Sequence, residues 1–257
     1  MIFIVLPLVA LFTSAISAVL GGGGGILLLA VTYMFLPHKA AILLHATVQT
    51  VNHTTRVISF LPHVEWGIVG RFLSGVVVGS GIGIAILDAT SHSKTAEPWF
   101  KLIVGAYVVI FSLLPLPTRK DGPRWYDFPI LGVASGIAAF TVGAIGPLIG
   151  PLFARRGFAK ERLIATKSAC EWVLHLAKIP VFLTYQAFTD LREYLALSAL
   201  MCAVVIPGTL IGRRLLGALS EEQFLWLFRG MLAIAGAKIM LWDGIRPLVF
   251  DTGAITP

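Results

Sequence analysis

Long apolar runs alternate with short polar connectors along nearly the whole chain. A helix needs about 20 mostly apolar residues to cross a bilayer, and that length marks runs at residues 2–36, 40–61, 66–87, 99–116, 128–153, 163–188, 194–216 and 224–250. Eight helical regions are predicted, joined by short loops. The most polar connector, PTRKDGPRWYD at residues 117–127, has the proline and glycine content of a linker. It predicts a first repeat at residues 1–117, a connecting loop at 118–127 and a second repeat at 128–257, each repeat with four helical regions.

The first apolar run is interrupted by five glycines, Gly21 to Gly25. Each costs a helix about 1 kcal/mol relative to alanine, so the helix is expected to break there. The second half repeats the feature. At a constant offset of 121 residues, Ser14 answers to Ser135, Ile16 to Ile137, Ala18 to Ala139, Gly22 to Gly143, Gly25 to Gly146 and Lys39 to Lys160, so GGGGG corresponds to VGAIG, followed by Pro147, Gly150 and Pro151. Further on, Gly79 and Gly83 correspond to Gly208 and Gly212. Paired, glycine-interrupted apolar segments in two halves point to a transporter binding site. A helix restarted inside the bilayer offers free N–H groups and a positive dipole end to an anion. The candidate residues at the breaks are Gly22, Gly23, Gly24 and Gly25, and Gly143, Ile145 and Gly146. Two such breaks facing each other would form a dry, electropositive pocket. The competing role for glycine is close helix packing, and that is the expectation for Gly79, Gly81 and Gly83.

Directly after each break comes a helix with a polar stripe. His45, Gln49, Asn52 and Arg56 are spaced i, i+4, i+7 and i+11, and Lys167, Glu171, His175 and Lys178 are spaced i, i+4, i+8 and i+11, so each set lies on one helical face. Ionisable groups in a membrane segment are costly and carry a functional hypothesis by default. Arg56 and Lys167 would supply positive charge to an anion, and Glu171 and His175 would exchange protons. Alternatively Lys167 and Glu171 neutralise each other with His175 hydrogen-bonded to Glu171, and Arg56 and Lys178 reach the interface. Thr47 and Ser168 add hydroxyls to the candidate binding set, although hydroxyls in such helices often bond back to the carbonyl four residues earlier.

Composition agrees with a membrane protein. Of 257 residues 57% are hydrophobic and 13% charged, against about 25% charged in soluble domains. The net charge of +7 is spread between apolar blocks instead of forming a basic face, so nucleic acid is not an expected partner. Cys170 and Cys202 fall in apolar segments and form no metal pattern. The first run lacks a basic n-region and a cleavage site, so the N-terminus is expected to be retained. No metal-spaced cluster, Gly-x-Ser-x-Gly or phosphate loop supports an enzyme, and no cofactor is implied.

The distribution of basic residues weighs two topologies. With eight full spans, eight basic loop residues face five. If the two glycine-broken regions are re-entrant hairpins, Arg119, Lys120, Arg124, Arg155, Arg156, Lys160, Arg162, Arg213 and Arg214 gather on one side against Lys39, Lys94, Arg192 and Arg246 on the other. The second count is the more asymmetric and makes the halves inverted repeats. Both arrangements put the two termini outside.

The Gly-rich openings SAISAVLGGGGGILL and SGIAAFTVGAIGPLIGP, the following HKAAILLHATVQT and AKERLIATKSACE, and the late PGTLIGRRLLGALSEEQFLWLFRGMLAIAGAKIML resemble the sulfite exporter TauE/SafE family over nearly the whole chain. The resemblance implies a bacterial or archaeal inner-membrane secondary carrier, with periplasmic termini here, for sulfite, sulfoacetate or another small sulfur-containing or organic anion. The expected partners are that anion and the lipid bilayer, with a homodimer left open. An uncoupled anion channel is the alternative.

Overall fold

The computed structural model describes residues 1–21, 23–33, 35–36, 38–90, 96–113, 124–141, 145–154, 158–184 and 194–251, and the described residues are helical with short turns. The helices are α1 (Ile2–Leu20), α2 (Gly24–Tyr33), α3 (His38–Ser59), α4 (Trp66–Thr90), α5 (Ala96–Leu113), α6 (Asp127–Thr141), α7 (Gly146–Ala154), α8 (Lys160–Thr184), α9 (Leu195–Leu216) and α10 (Glu221–Ala237). A 3₁₀ turn, Leu61–His63, precedes α4, and π-helical turns at Lys238–Ile245 and Pro247–Asp251 extend α10. Four described stretches are long and apolar enough to cross a membrane: Ile2–Leu20, Trp66–Ile86, Leu195–Leu216 and Glu222–Phe250. Helices α3 and α8 have 22 and 25 residues, about 33 and 37 Å at 1.5 Å per residue. They have the length of a span, and their polar stripes lower their hydropathy.

The chain divides into two compact units, Met1–Gly70 with Phe158–Leu225, and Arg71–Gly157 with Trp226–Pro257. Each draws on both halves of the sequence. In the first unit, α1 is a continuous apolar helix whose Thr13 and Ser14 hydroxyls donate to the Val9 and Leu11 carbonyls at 2.7 and 2.8 Å. It ends where Gly21 and Gly23 take φ of 69° and 77°, the left-handed region open to a residue without Cβ. The chain turns back there. Gly24, the first residue of α2, lies against the Thr13 carbonyl and Ser17, two turns before the end of α1. The first apolar run is therefore a full-length helix followed by a ten-residue one that starts beside it. Leu6 and Ala10 of α1, Leu28 of α2, Ala41, Leu44 and Val48 of α3, and Leu197, Met201 and Val205 of α9 form one buried core. Helix α9 approaches α1 through Gly208, set against Leu11 and Ser14, and Gly212, set against Ala15 and Ala18.

The second unit uses the same device. Gly75, Gly79 and Gly83 of α4 lie against Pro129, Val133 and Ile137 of α6, the close-packing role expected for Gly79 and Gly83. Gly81 has open space beside it. On α5, Gly105 meets Met240 of the π-helical extension, whose Gly244 meets Leu102. The second predicted break separates α6 from the nine-residue α7, where the Ile145 carbonyl accepts the first helical bonds, from Leu148 and Ile149 at 3.0 and 3.3 Å. Gly22 and Gly143 lie outside the described residues.

Candidate functional site

Both polar stripes belong to the first unit, on α3 and α8. These helices run antiparallel, for Arg56 near the end of α3 meets Ser168 near the start of α8, while His45, early in α3, meets His175 further along α8. Each stripe is turned inward. Arg56 and Lys167 have no exposed surface and Lys178 is 1% exposed, so Arg56 and Lys178 do not reach the surface of the unit. Among the described residues, Glu171 is the one buried carboxylate beside Arg56 and Lys167, a formal surplus of one positive charge for these three groups. Burying unbalanced charge is expensive enough that a fold without use for it would replace it with apolar residues.

Lys167 and Glu171 form the core of the cluster. The Lys167 ammonium donates to Glu171 Oε1 at 2.6 Å, the i,i+4 pairing anticipated from the sequence. The imidazole beside this carboxylate is His53, with Nδ1 3.7 Å from Glu171 Oε2, in place of the expected His175. His53 stacks on His175, with ring centroids 5.3 Å apart, and His175 meets His45 edge-on at 5.7 Å. His45 Nε2 is 2.9 Å from the Gly25 carbonyl oxygen. A carbonyl only accepts, so that nitrogen carries the proton and donates. A row of three imidazoles thus leads from Glu171 to the first turn of α2.

Arg56 is held by neutral groups. Its Nη1 donates to Ser168 Oγ and its Nη2 to Asn52 Oδ1, both at 3.3 Å. Asn52 Oδ1 also accepts from Thr209 of α9 at 2.7 Å, and Asn52 Nδ2 donates to Gln49 Oε1 at 2.8 Å. Gln49 in turn faces Gly25, where a methyl group would overlap its amide. Arg56 Nε, His53 Nδ1, His175 Nδ1 and Glu171 Oε2 are buried without a hydrogen-bond partner among the described residues. Polar atoms in such positions call for an explanation, because leaving them unpaired costs about 1–3 kcal/mol each.

The hydroxyls divide by role. Thr47, Thr50, Thr54 and Thr55 each bond back to the carbonyl four residues earlier, at 2.7–2.9 Å. Ser168 alone among the candidate hydroxyls contacts a cation of the cluster, through Arg56. Thr166 accepts from the Glu65 amide and donates to the His63 carbonyl, tying the 3₁₀ turn to α8.

Gly23, Gly24, Gly25, His45, Gln49, Asn52, Arg56, Lys167, Ser168, Glu171 and His175 all stand in the first unit, whereas Ile145 and Gly146 stand in the second. Two members of the cluster were absent from the candidate set, His53 and Thr209. For His53 the sequence carries a signal, since His45, Gln49 and His53 have the i, i+4, i+8 spacing of Lys167, Glu171 and His175. Thr209 has none, because only the packing of α9 on α3 brings it to Asn52.

Comparison with known families decides what kind of protein carries this cluster. The family model described as sulfite exporter TauE/SafE matches residues 6–239. The chain belongs to this family. Searches among curated proteins and among solved structures returned no match. As a TauE/SafE-family member with several apolar helices of spanning length, the chain is an integral membrane transport protein, in a family of transporters of sulfite or related anions. The buried cationic cluster of α3 and α8 lies within the matched region.

Proposed function

We propose that this TauE/SafE-family chain is a secondary carrier in the bacterial inner membrane that exports a small sulfur-containing or organic anion, such as sulfite or sulfoacetate, by alternating access. The observation that carries this reading is the buried surplus of positive charge on α3 and α8, set beside the first turn of α2. Arg56 and Lys167 supply the charge, and Gln49, Asn52 and Ser168 supply hydrogen bonds. The free N–H groups and dipole of the α2 N-terminus, at Gly24 and Gly25, add to the same potential.

Two features support an inverted duplication. Helices α3 and α8, the second regions of the two halves, run antiparallel. In addition, the glycines of α9 lie on α1 while those of α4 lie on α6, so the third region of each half meets the first region of the other. The turn of α2 back along α1 supports the re-entrant arrangement, which puts nine basic loop residues inside and the termini in the periplasm.

The test is uptake of labelled sulfite, sulfoacetate, thiosulfate and chloride into proteoliposomes. A carrier shows saturable uptake of one anion class and counterflow against unlabelled substrate. Unsaturable flux of every anion without counterflow would assign the protein to the uncoupled channels. Wild-type protein that moves none of the sulfur anions would overturn the anion reading.

A further inference from the structure

We infer that Glu171 is the internal competitor of the transported anion for Lys167, and that a proton delivered through His53 releases it, so that one anion and one proton bind together. The inference rests on the anion-carrier reading and specifies how its site is regulated.

The geometry supplies the reasons. Lys167 is fully buried and its ammonium is engaged by Glu171 Oε1 at 2.6 Å. An anion arriving at Lys167 would share it with a carboxylate in direct contact. Two anions on one cation repel, and the repulsion is relieved when one of them takes up a proton. The other carboxylate oxygen is placed to accept it, for Glu171 Oε2 is buried without a hydrogen-bond partner among the described residues and lies 3.7 Å from His53 Nδ1, which likewise has none among them. The proton is drawn from the bulk solution, passes by way of the imidazole and ends on Glu171, leaving His53 neutral again. Lys167 keeps its ammonium charge throughout. For a monovalent anion the joint event leaves the net charge of the buried cluster unchanged.

The other charged and titratable groups around Glu171 fit this role. On α8 they are Lys167, the Cys170 thiol and His175. On α3 they are His53 and Arg56. Lys178 and His45 stand beyond His175, within electrostatic reach of it, and His63 of the 3₁₀ turn is exposed. Glu171 is the one carboxylate in this set, so it is the one group whose protonation adds to the positive charge available by removing an anion.

Linkage gives the test a sign. A site whose anion form requires a bound proton gains affinity as pH falls, and bound anion draws a proton from solution. The experiment is calorimetric titration of the purified full-length protein with sulfoacetate and thiosulfate, in buffers of different ionisation enthalpy, from about pH 6 to about pH 8. Sulfite is avoided because it titrates in this range itself. The expected result is uptake of about one proton per anion, with affinity rising up to roughly tenfold per pH unit on acidification. Glu171→Gln should bind the anion with no proton uptake and little pH dependence. His53→Gln should keep the equilibrium stoichiometry while slowing proton-coupled uptake in proteoliposomes about tenfold or more.

Anion binding by the wild type without proton uptake would overturn the inference and leave the carrier reading intact, and this measurement needs no variant to fold. Proton uptake that persists in Glu171→Gln would also overturn it. An unchanged uptake rate in His53→Gln would remove His53 from the route. Failure of the wild type to bind either anion would count against the carrier reading and take the inference with it.

Discussion

Replacing Asn52 by aspartate puts a negative charge into the cluster with almost no change of shape. The new carboxylate would stand 3.3 Å from Arg56 Nη2 and keep the Thr209 hydroxyl as a donor at 2.7 Å. Gln49, which now accepts from Asn52 Nδ2 at 2.8 Å, can turn its amide and donate instead. At an effective dielectric of about 20, the attraction between the new carboxylate and the Arg56 guanidinium comes to about 5 kcal/mol, which offsets much of the carboxylate's desolvation. The variant is therefore expected to fold. A substrate anion on the far side of the guanidinium would lie about 7 Å from the added charge and feel about 2.4 kcal/mol of repulsion in the same dielectric. At 1.4 kcal/mol per decade, that weakens anion binding about 50-fold. The assay pairs thermal unfolding with calorimetric binding of sulfoacetate, and with KM for uptake in proteoliposomes. Asn52→Leu is the contrasting variant. It strands the Thr209 hydroxyl, Arg56 Nη2 and Gln49 Oε1, at about 1–3 kcal/mol each, so it should lose stability as well as binding. Asn52→Asp protein that is stable and binds the anion as tightly as the wild type would refute the assignment of Arg56 to the site.

Three further outcomes follow from the same cluster. Lys167→Ala should abolish anion transport while the chain still inserts into the membrane, and uptake near the wild-type rate would remove Lys167 from the site. Replacing Gly24 and Gly25 together by leucine drives side chains into the Thr13 carbonyl and the Gln49 amide; transport should be lost, and a variant that still carries substrate would reduce these glycines to packing elements. Thr209→Val removes one of two donors to Asn52 Oδ1, at about 1 kcal/mol; a rise of about fivefold in KM with unchanged insertion is expected, and an unchanged KM would detach Thr209 from the site.

Much of the candidate site was legible because helical periodicity is a local property. His45, Gln49, Asn52 and Arg56 share a face whatever surrounds them, and so do Lys167, Glu171, His175 and Lys178. The Lys167–Glu171 pair likewise needs only the i,i+4 spacing within one helix. Partner choice between helices could not be read in this way. Spacing along α8 pointed to His175, one turn from Glu171, whereas the antiparallel register of α3 against α8 brings His53 to the carboxylate and stacks His175 on its ring.

By itself the sequence determined the membrane-embedded, all-helical character, the helix break in the glycine run and the presence of two inward polar stripes. Each follows from short-range physics: the cost of polar groups in hydrocarbon, the conformational freedom of glycine and the period of 3.6 residues. Tertiary structure decided the rest. The glycine run could have continued a tilted span, but reversed φ at Gly21 and Gly23 sets α2 back against Thr13 and Ser17 of α1. Thr209 reached Asn52 across 157 residues of chain, and Gly25 met His45 and Gln49. Such contacts depend on which faces remain to be buried once all the helices are assembled, a condition that no single segment contains.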